Sequence, residues 1–559
     1  MTRSIRHIVP ALVVAAAAVF SSVASAQSKL PLKMAPKPTT AAITAADLMT
    51  RVYIFADDSM MGRRAGEEGG MKGTTYIERE VRRLGLTPGG ENGTFFQAVP
   101  LITRTLDTTS AVTADGQPVV IGTDYFPLSA AGVVRPIDGA QVIFVGNAAD
   151  TTSTITPEQA AGKIVFVVTG TAAAARRFPA AAGFMTVIPE AQLGQFRAFA
   201  LSGSTRLRSD ADTAQAKLTI GVLPGAVTKF LGVPLENARP GTLGRTLRGT
   251  VRYNVIESPA RNVIAILRGS DPKLRGQYVA IGAHSDHVGR RRAGPLDHDS
   301  LKVYNEIAER IYNARTGQAT GFPGSGLTPE ERASIRVNVD SLRRIRPARP
   351  DSIYNGADDD ASGSMGVLEI AEKFALSKTK PKRSLIFVWH TAEELGLYGA
   401  EWFTEHPTVP RDSIVAQLNI DMIGRGQAQD RPGGGPNFLQ LIGSRRLSTE
   451  LGNIVESVNK SRNHGFVFDY SFDANGHPER IYCRSDHYEY ARHGIPITFF
   501  TTAGHSDYHQ LTDEPQYVAY PHLAKVTGFV ADVAEHVANL DHRVVVDKPK
   551  PDPKGQCVQ

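Results

Sequence analysis

From about residue 255 onward the sequence alternates between two textures, and this alternation limits the fold more than any other feature. YVAIGAH, RSLIFVWH, AQLNIDM and PITFFTT are short, β-rich, nearly continuous apolar runs. Between them lie helical patterns such as SGSMGVLEIAEKFAL, where Met365, Leu368, Ala371 and Ala375 share one stripe. Strands that are apolar on both faces belong inside a sheet with helices on both sides. The expected fold class is α/β, with a mixed, mainly parallel sheet covered by helices.

Other parts of the chain break the rhythm. Residues 45–109 read as a mostly helical opening segment; in TTYIEREVRRLGL, Ile77, Val81 and Leu84 fall at i, i+4 and i+7. Residues 110–254 hold GAQVIFVGN, GKIVFVVTG, AKLTIGVLP and TVRYNVIE between Gly, Pro, Asp and Thr clusters. No His/Asp/Glu cluster occurs there, so this reads as a β-rich module without chemistry of its own. It splits a unit made of 45–109 and 255–541. Within that unit, residues 290–353 read as an insertion, with RRR at 290–292, RRIRPARP at 343–350 and one helix in LTPEERASIRVNVDSLRR.

At the N-terminus, Arg3 and Arg6 precede a short apolar run and Ala24-Ser25-Ala26, the pattern of a signal peptide over 1–26. Residues 27–44 read as a leader strip, and the Pro/Lys-rich residues 542–559 as a disordered tail. The mature protein is expected to be exported, periplasmic or extracellular, with no integral membrane association. Only 2 Cys in 559 residues exclude a disulfide scaffold and a Cys-type zinc finger. Cys483 and Cys557 could pair or stay free. A net charge of +6 gives no concentrated basic face, so no nucleic-acid partner is expected.

The chemistry gathers where the apolar strands end. His284-Ser285-Asp286 follows the first, Glu393-Glu394 the second, Asp421 the third, and Tyr508-His509 lies beyond the last. A loop before the helical stripe carries Asp358-Asp359-Asp360. Sites in open α/β sheets lie beyond the carboxyl ends of the strands. Two His and three carboxylates suit two divalent cations sharing one carboxylate; zinc fits these donors, and manganese and cobalt satisfy them too.

The order HSD…NGADDDASG…AEELGLYGA…NIDMIG…SDYHQLTDE resembles the M28 family of co-catalytic metallopeptidases, over about residues 45–105 and 255–540. SMMGRRAGEEGG resembles that family's opening segment, and the 110–254 module, through GKIVFVV, resembles a protease-associated (PA) domain. The resemblance implies a three-layer zinc-peptidase/phosphorylase-like fold with an inserted PA domain. It implies that His284 and Asp421 hold one Zn2+, Glu394 and His509 a second, and that Asp359 bridges them. Glu393 would be the general base, and Asp286 would accept the other N–H of His284. Tyr508 would donate a hydrogen bond to the oxyanion, and Asp359–Asp360 would be a cis peptide. The implied function is an exported di-zinc exopeptidase acting on peptides, in first place an aminopeptidase. A carboxypeptidase or dipeptidase of the same family stays open. So do glutaminyl cyclase, with one metal, and a non-catalytic binding ectodomain. The long gap between His284 and Asp359, filled by 290–353, departs from ordinary members.

Overall fold

The computed structural model describes residues 30–129, 131–148, 155–194, 203–316 and 326–559. Residues 1–26, expected to be a signal peptide, lie outside them. The main sheet contains seven strands of note: β1 (Phe96–Leu106), β2 (Tyr253–Leu267), β3 (Tyr278–His284), β4 (Ser384–His390), β5 (Ile414–Ile420), β6 (Phe438–Ile442) and β7 (Ile497–Thr501). Its order is Ser204–Leu207, β1, β2, β4, β3, β5, β7, β6, Val467–Asp469, with Thr87–Pro88 also on β2.

Parallel pairing is concentrated at the centre, where β4, β3, β5 and β7 run side by side. These strands are buried along their length, as their unbroken apolar sequences require. Ser204–Leu207, β1, β2 and β4 pair antiparallel in turn, and β6 pairs antiparallel with β7 but parallel with Val467–Asp469, so the sheet is mixed and only its middle fits a mainly parallel description. One reason is topological. β1 leads out to the inserted module and β2 returns from it, and the two pair antiparallel from Val263↔Phe96 to Tyr253↔Leu106. Residues 96–106, expected in a mostly helical segment, are therefore strand. TVRYNVIE, expected in the module, is largely the start of β2.

Helices α1 (Ala45–Phe55), α3 (Ala361–Leu376) and α4 (Tyr520–Asn539) cover one face. Their apolar sides meet Val279, Ile281, Leu385 and Leu418 of the sheet in one core. The short helices Tyr398–Glu405 and His487–Ala491 cover the other face over Ala280, Ile386 and Val388. Arg51 of α1 is 1% exposed and lies between Glu369 and Glu372 of α3. Removing one partner of a buried ion pair leaves uncompensated charge and costs about 3–5 kcal/mol. Arg51→Met is expected to lower the unfolding free energy by that amount, read by denaturant titration; a loss under about 1 kcal/mol would show that the pair adds no more than a surface one.

The module has its own eight-stranded sheet, built from strands between Ala111 and Thr250. Strand Ser204–Leu207 leaves it and pairs with β1 at the edge of the main sheet. The leader residues also pack: Thr39 Oγ1 donates to Glu372 Oε2 at 2.7 Å, and Pro31 O accepts from the Tyr53 hydroxyl.

In the insertion, α2 (His298–Thr316) is followed by Pro329–Ser334 and Val339–Ile345. The single helix expected in LTPEERASIRVNVDSLRR is thus two. Thr328 caps the first through a capping box with Glu331, and Asn338 caps the second by accepting from Ser341 N. The tail is not the disordered strip expected. Cys483 and Cys557 form a disulfide, and Gln559 donates to Phe472 O and Ala474 O while accepting from Tyr482 N.

Candidate metal centre

The central parallel strands end at one edge, and their registers set the spacing of the site. His284 closes β3 opposite His390 of β4, and Asp421 follows the end of β5. Glu393 and Glu394 lie just past β4, and Tyr508 and His509 on the loop after β7. Asp359 precedes α3, whose cap is Asp360. Ala392, Met422, Ala503 and His509 all have left-handed backbone at this edge, with φ of 58°, 57°, 66° and 54°. Such conformers in side-chain-bearing residues persist only where the surroundings hold them.

Asp359 separates from its neighbours by geometry. Its Oδ1 is 3.1 Å from His284 Nε2 and its Oδ2 is 3.0 Å from His509 Nε2, so its two oxygens face two imidazoles. Asp360 instead accepts backbone N–H groups from Gly363, Met422 and His284. Asp358 accepts from Gly424 N and faces His505 Nε2 at 3.1 Å. The Asp359–Asp360 peptide is cis. From below, the Asp513 carboxylate accepts the N–H groups of Asp358 and Asp359, and buried Arg63 donates to the carbonyls of Asn355 and Gly356. The role of Arg63 was hidden in SMMGRRAG, because its partners are carbonyls remote in sequence.

Around His284, Asp421 Oδ1 lies at 3.6 Å and Glu393 Oε2 at 3.9 Å. The other Asp421 oxygen accepts from Ser485 Oγ at 2.6 Å. Around His509, Glu394 Oε2 lies at 2.8 Å. His287, which sequence reasoning passed over, joins this second group: its Nδ1 is 2.8 Å from Glu394 Oε1 and 3.7 Å from Asp359 Oδ2. The signal was present in HSDH, one residue beyond Asp286.

Asp286 departs from expectation. His284 Nδ1 lies 3.1 Å from the backbone oxygen of Asp286 but 3.8 Å from its carboxylate. The carboxylate accepts the Glu393 N–H instead, at 3.1 Å. The backbone after His284 brings the Asp286 carbonyl, not its side chain, to the ring nitrogen.

Charge and burial shift these groups. Burial pushes Glu393 well above the ordinary carboxylate range; His284 opposes this, and Glu394 and Asp421 add to it. Burial alone would lower His509, but Glu394 and Asp359 raise it to about 10. Excess negative charge packed around imidazoles is a setting for cations. His509 Nε2, Asp359 Oδ2 and His287 Nε2 are buried without a hydrogen-bond partner. The donors gather as His287, Asp359, Glu394 and His509 on one side, and His284 with Asp421 beside Asp360 on the other. Imidazole and carboxylate donors without thiolate suit zinc.

A cavity opens beside Glu393, with Met422, Phe472, Ile481 and Phe499 as apolar walls. Tyr508 lines it; its ring stacks on His509 and its hydroxyl accepts from Arg484 Nη2 at 3.3 Å. Of the segment Arg484-Ser485-Asp486-His487, the first two residues line this cavity, while Asp486 faces His390 and His487 faces Tyr482 O.

Residues 335–534 match the model of Peptidase family M28. Over that segment the chain is similar to the M28 peptidases. Asp359, Glu393, Glu394, Asp421, Tyr508 and His509 fall within the matched M28 segment, whereas His284 and Asp286 precede it. Leucine aminopeptidase 2 of Trichophyton equinum is 27% identical over 258 residues, 44% of this chain and 44% of that one. Vacuolar membrane protease of Candida glabrata is 28% identical over 188 residues, 33% of this chain and 18% of that one. The chain thus spans less than half of either relative. An aminopeptidase structure from Aneurinibacillus sp. strain AM-1 aligns over 91% of this chain and 97% of its own, with 16% identity and a TM-score of 0.49.

Proposed function

We propose that the chain is an exported, co-catalytic di-zinc exopeptidase, in first place an aminopeptidase. The observation that carries the reading is Asp359, whose two oxygens face His284 and His509 at 3.1 and 3.0 Å. In this reading His284 and Asp421 would hold one ion, Glu394 and His509 the other, and Asp359 would serve both. His287 supports the second group through Glu394.

Bound there, two such ions would lower the pKa of a water and polarise the scissile carbonyl. Glu393 takes the water's proton and returns it to the leaving amine. Its raised affinity for protons suits the acid half of that cycle. Asp286 positions Glu393 by holding its backbone N–H. The Tyr508 hydroxyl, at the cavity wall, donates to the oxyanion. The apolar walls favour an apolar substrate side chain, in keeping with the relative named a leucine aminopeptidase. The 110–254 module is read as PA-like from its GKIVFVV strand, Ile164–Thr169.

Export rests on the first 26 residues and is supported by the Cys483–Cys557 disulfide, which suits an oxidising compartment. Among the described residues no helix is long and apolar enough to cross a membrane.

Arg484, beside Tyr508 on the cavity wall, favours a second reading, a carboxypeptidase holding the substrate carboxylate. One assay separates the two. The zinc-loaded protein is given free and N-acetylated peptides, and the products are sized by mass. Stepwise loss of apolar N-terminal residues from free peptides only is expected. Loss from the C-terminus would favour the second reading, and intact peptides throughout would remove the peptidase reading.

A further inference from the structure

The insertion meets the His509 loop at a second group of metal donors, away from the first. Strand Leu296–Asp297 pairs with Pro350–Asp351, so the two ends of the insertion lie together. His298, the first residue of α2, is 0% exposed. Its Nδ1 lies 3.2 Å from Asp299 Oδ1. An imidazole whose Nδ1–H is taken by a carboxylate presents its Nε2 lone pair outward, the arrangement seen behind metal-bound histidines.

That Nε2 is buried with no hydrogen-bond partner and points at Glu514 Oε1, 3.6 Å away. Asp351 adds a second unpartnered buried atom: its Oδ1 accepts from Ile353 N at 2.9 Å, while Oδ2 accepts nothing. One donor atom from each of His298, Asp351 and Glu514 lies within 4.8 Å of the others. Arg349 holds the far oxygen of Glu514 at 3.1 Å and Arg346 is on Asp299, and among the described residues no Lys or Arg pairs with Asp351.

We propose that His298, Asp351 and Glu514 bind a further divalent cation of the zinc type, which ties both ends of the 290–353 insertion to the loop carrying His509. One imidazole and two carboxylates suit zinc, with water completing the set. The site joins the metal centre through one residue: Asp513, next to Glu514, holds the N–H groups of Asp358 and Asp359. α2 braces the same loop, with Lys302 on Asp507 and Asn305 Nδ2 donating to Thr512 Oγ1. The cation therefore has a structural role, fixing the wall of the catalytic edge.

The test uses metal-free full-length protein equilibrated with zinc and assayed for bound metal by elemental analysis. Asp351→Asn and Glu514→Gln keep side-chain shape and are each expected to bind one equivalent fewer than wild type. The same loss is expected in the His284→Ala background, which separates this site from the first. Wild-type zinc content in both single variants would overturn the proposal. Should neither variant fold, hydrogen exchange of the wild type decides. Zinc is expected to slow the amides of residues 296–299 and 351–353, and unchanged exchange there overturns the site.

Discussion

Glu393→Gln is expected to lower kcat by about 10²–10⁴-fold, the range for losing a positioned acid–base group. Metal content should stay at the wild-type level. Gln keeps the shape of Glu393 and its backbone contact to Asp286, but cannot carry a proton from water to amine. Glu394 cannot substitute, because Oε1 faces His287 Nδ1 and Oε2 faces His509 Nε2, each at 2.8 Å. Single-turnover hydrolysis with metal analysis on one preparation checks both halves. Turnover near wild type in a metal-loaded variant would remove Glu393 from the base role. Metal loss would instead make it a ligand.

Asp359→Asn is expected to have the second large effect, acting on both ions at once. An amide offers one oxygen where the bridge needs two, and the NH2 that replaces the other oxygen repels a cation. Changes to residues merely supporting a metal ligand cost 10–100-fold in affinity, so losing the shared ligand should exceed about 100-fold. His284→Ala should weaken chiefly the ion shared with Asp421, and His509→Ala chiefly the one shared with Glu394. Competition with a chelator of known affinity reads all three variants. Equal losses in Asp359→Asn and His284→Ala would contradict a bridging role.

Much of the candidate site is readable in the sequence, because every donor except Asp359 follows an apolar strand. Buried strands leave a clear apolar signature, and a His or acid just past one stands at the edge where the strands converge. Asp359 needed more. DDD reads as a helix cap, and one of the three, Asp360, is the cap. His287 was passed over because a His a few residues past a strand looks like loop, and only the fold brings Glu394 beneath it. Pairing direction in the wings was not legible, since antiparallel β1 and β2 depend on where the module leaves and returns. In the insertion, the stripe Val303, Ile307 and Ile311 of α2 was masked by surrounding charge. The tail's Pro and Lys suggested disorder, but one disulfide and Gln559 outweigh composition there.

The central claim is two ions bridged by Asp359, and anomalous diffraction from zinc-soaked crystals tests it most directly. The account predicts two peaks about 3.5–4 Å apart, one against His284 and Asp421, the other against Glu394 and His509, with Asp359 between them. A single peak at that edge, or none, would contradict it.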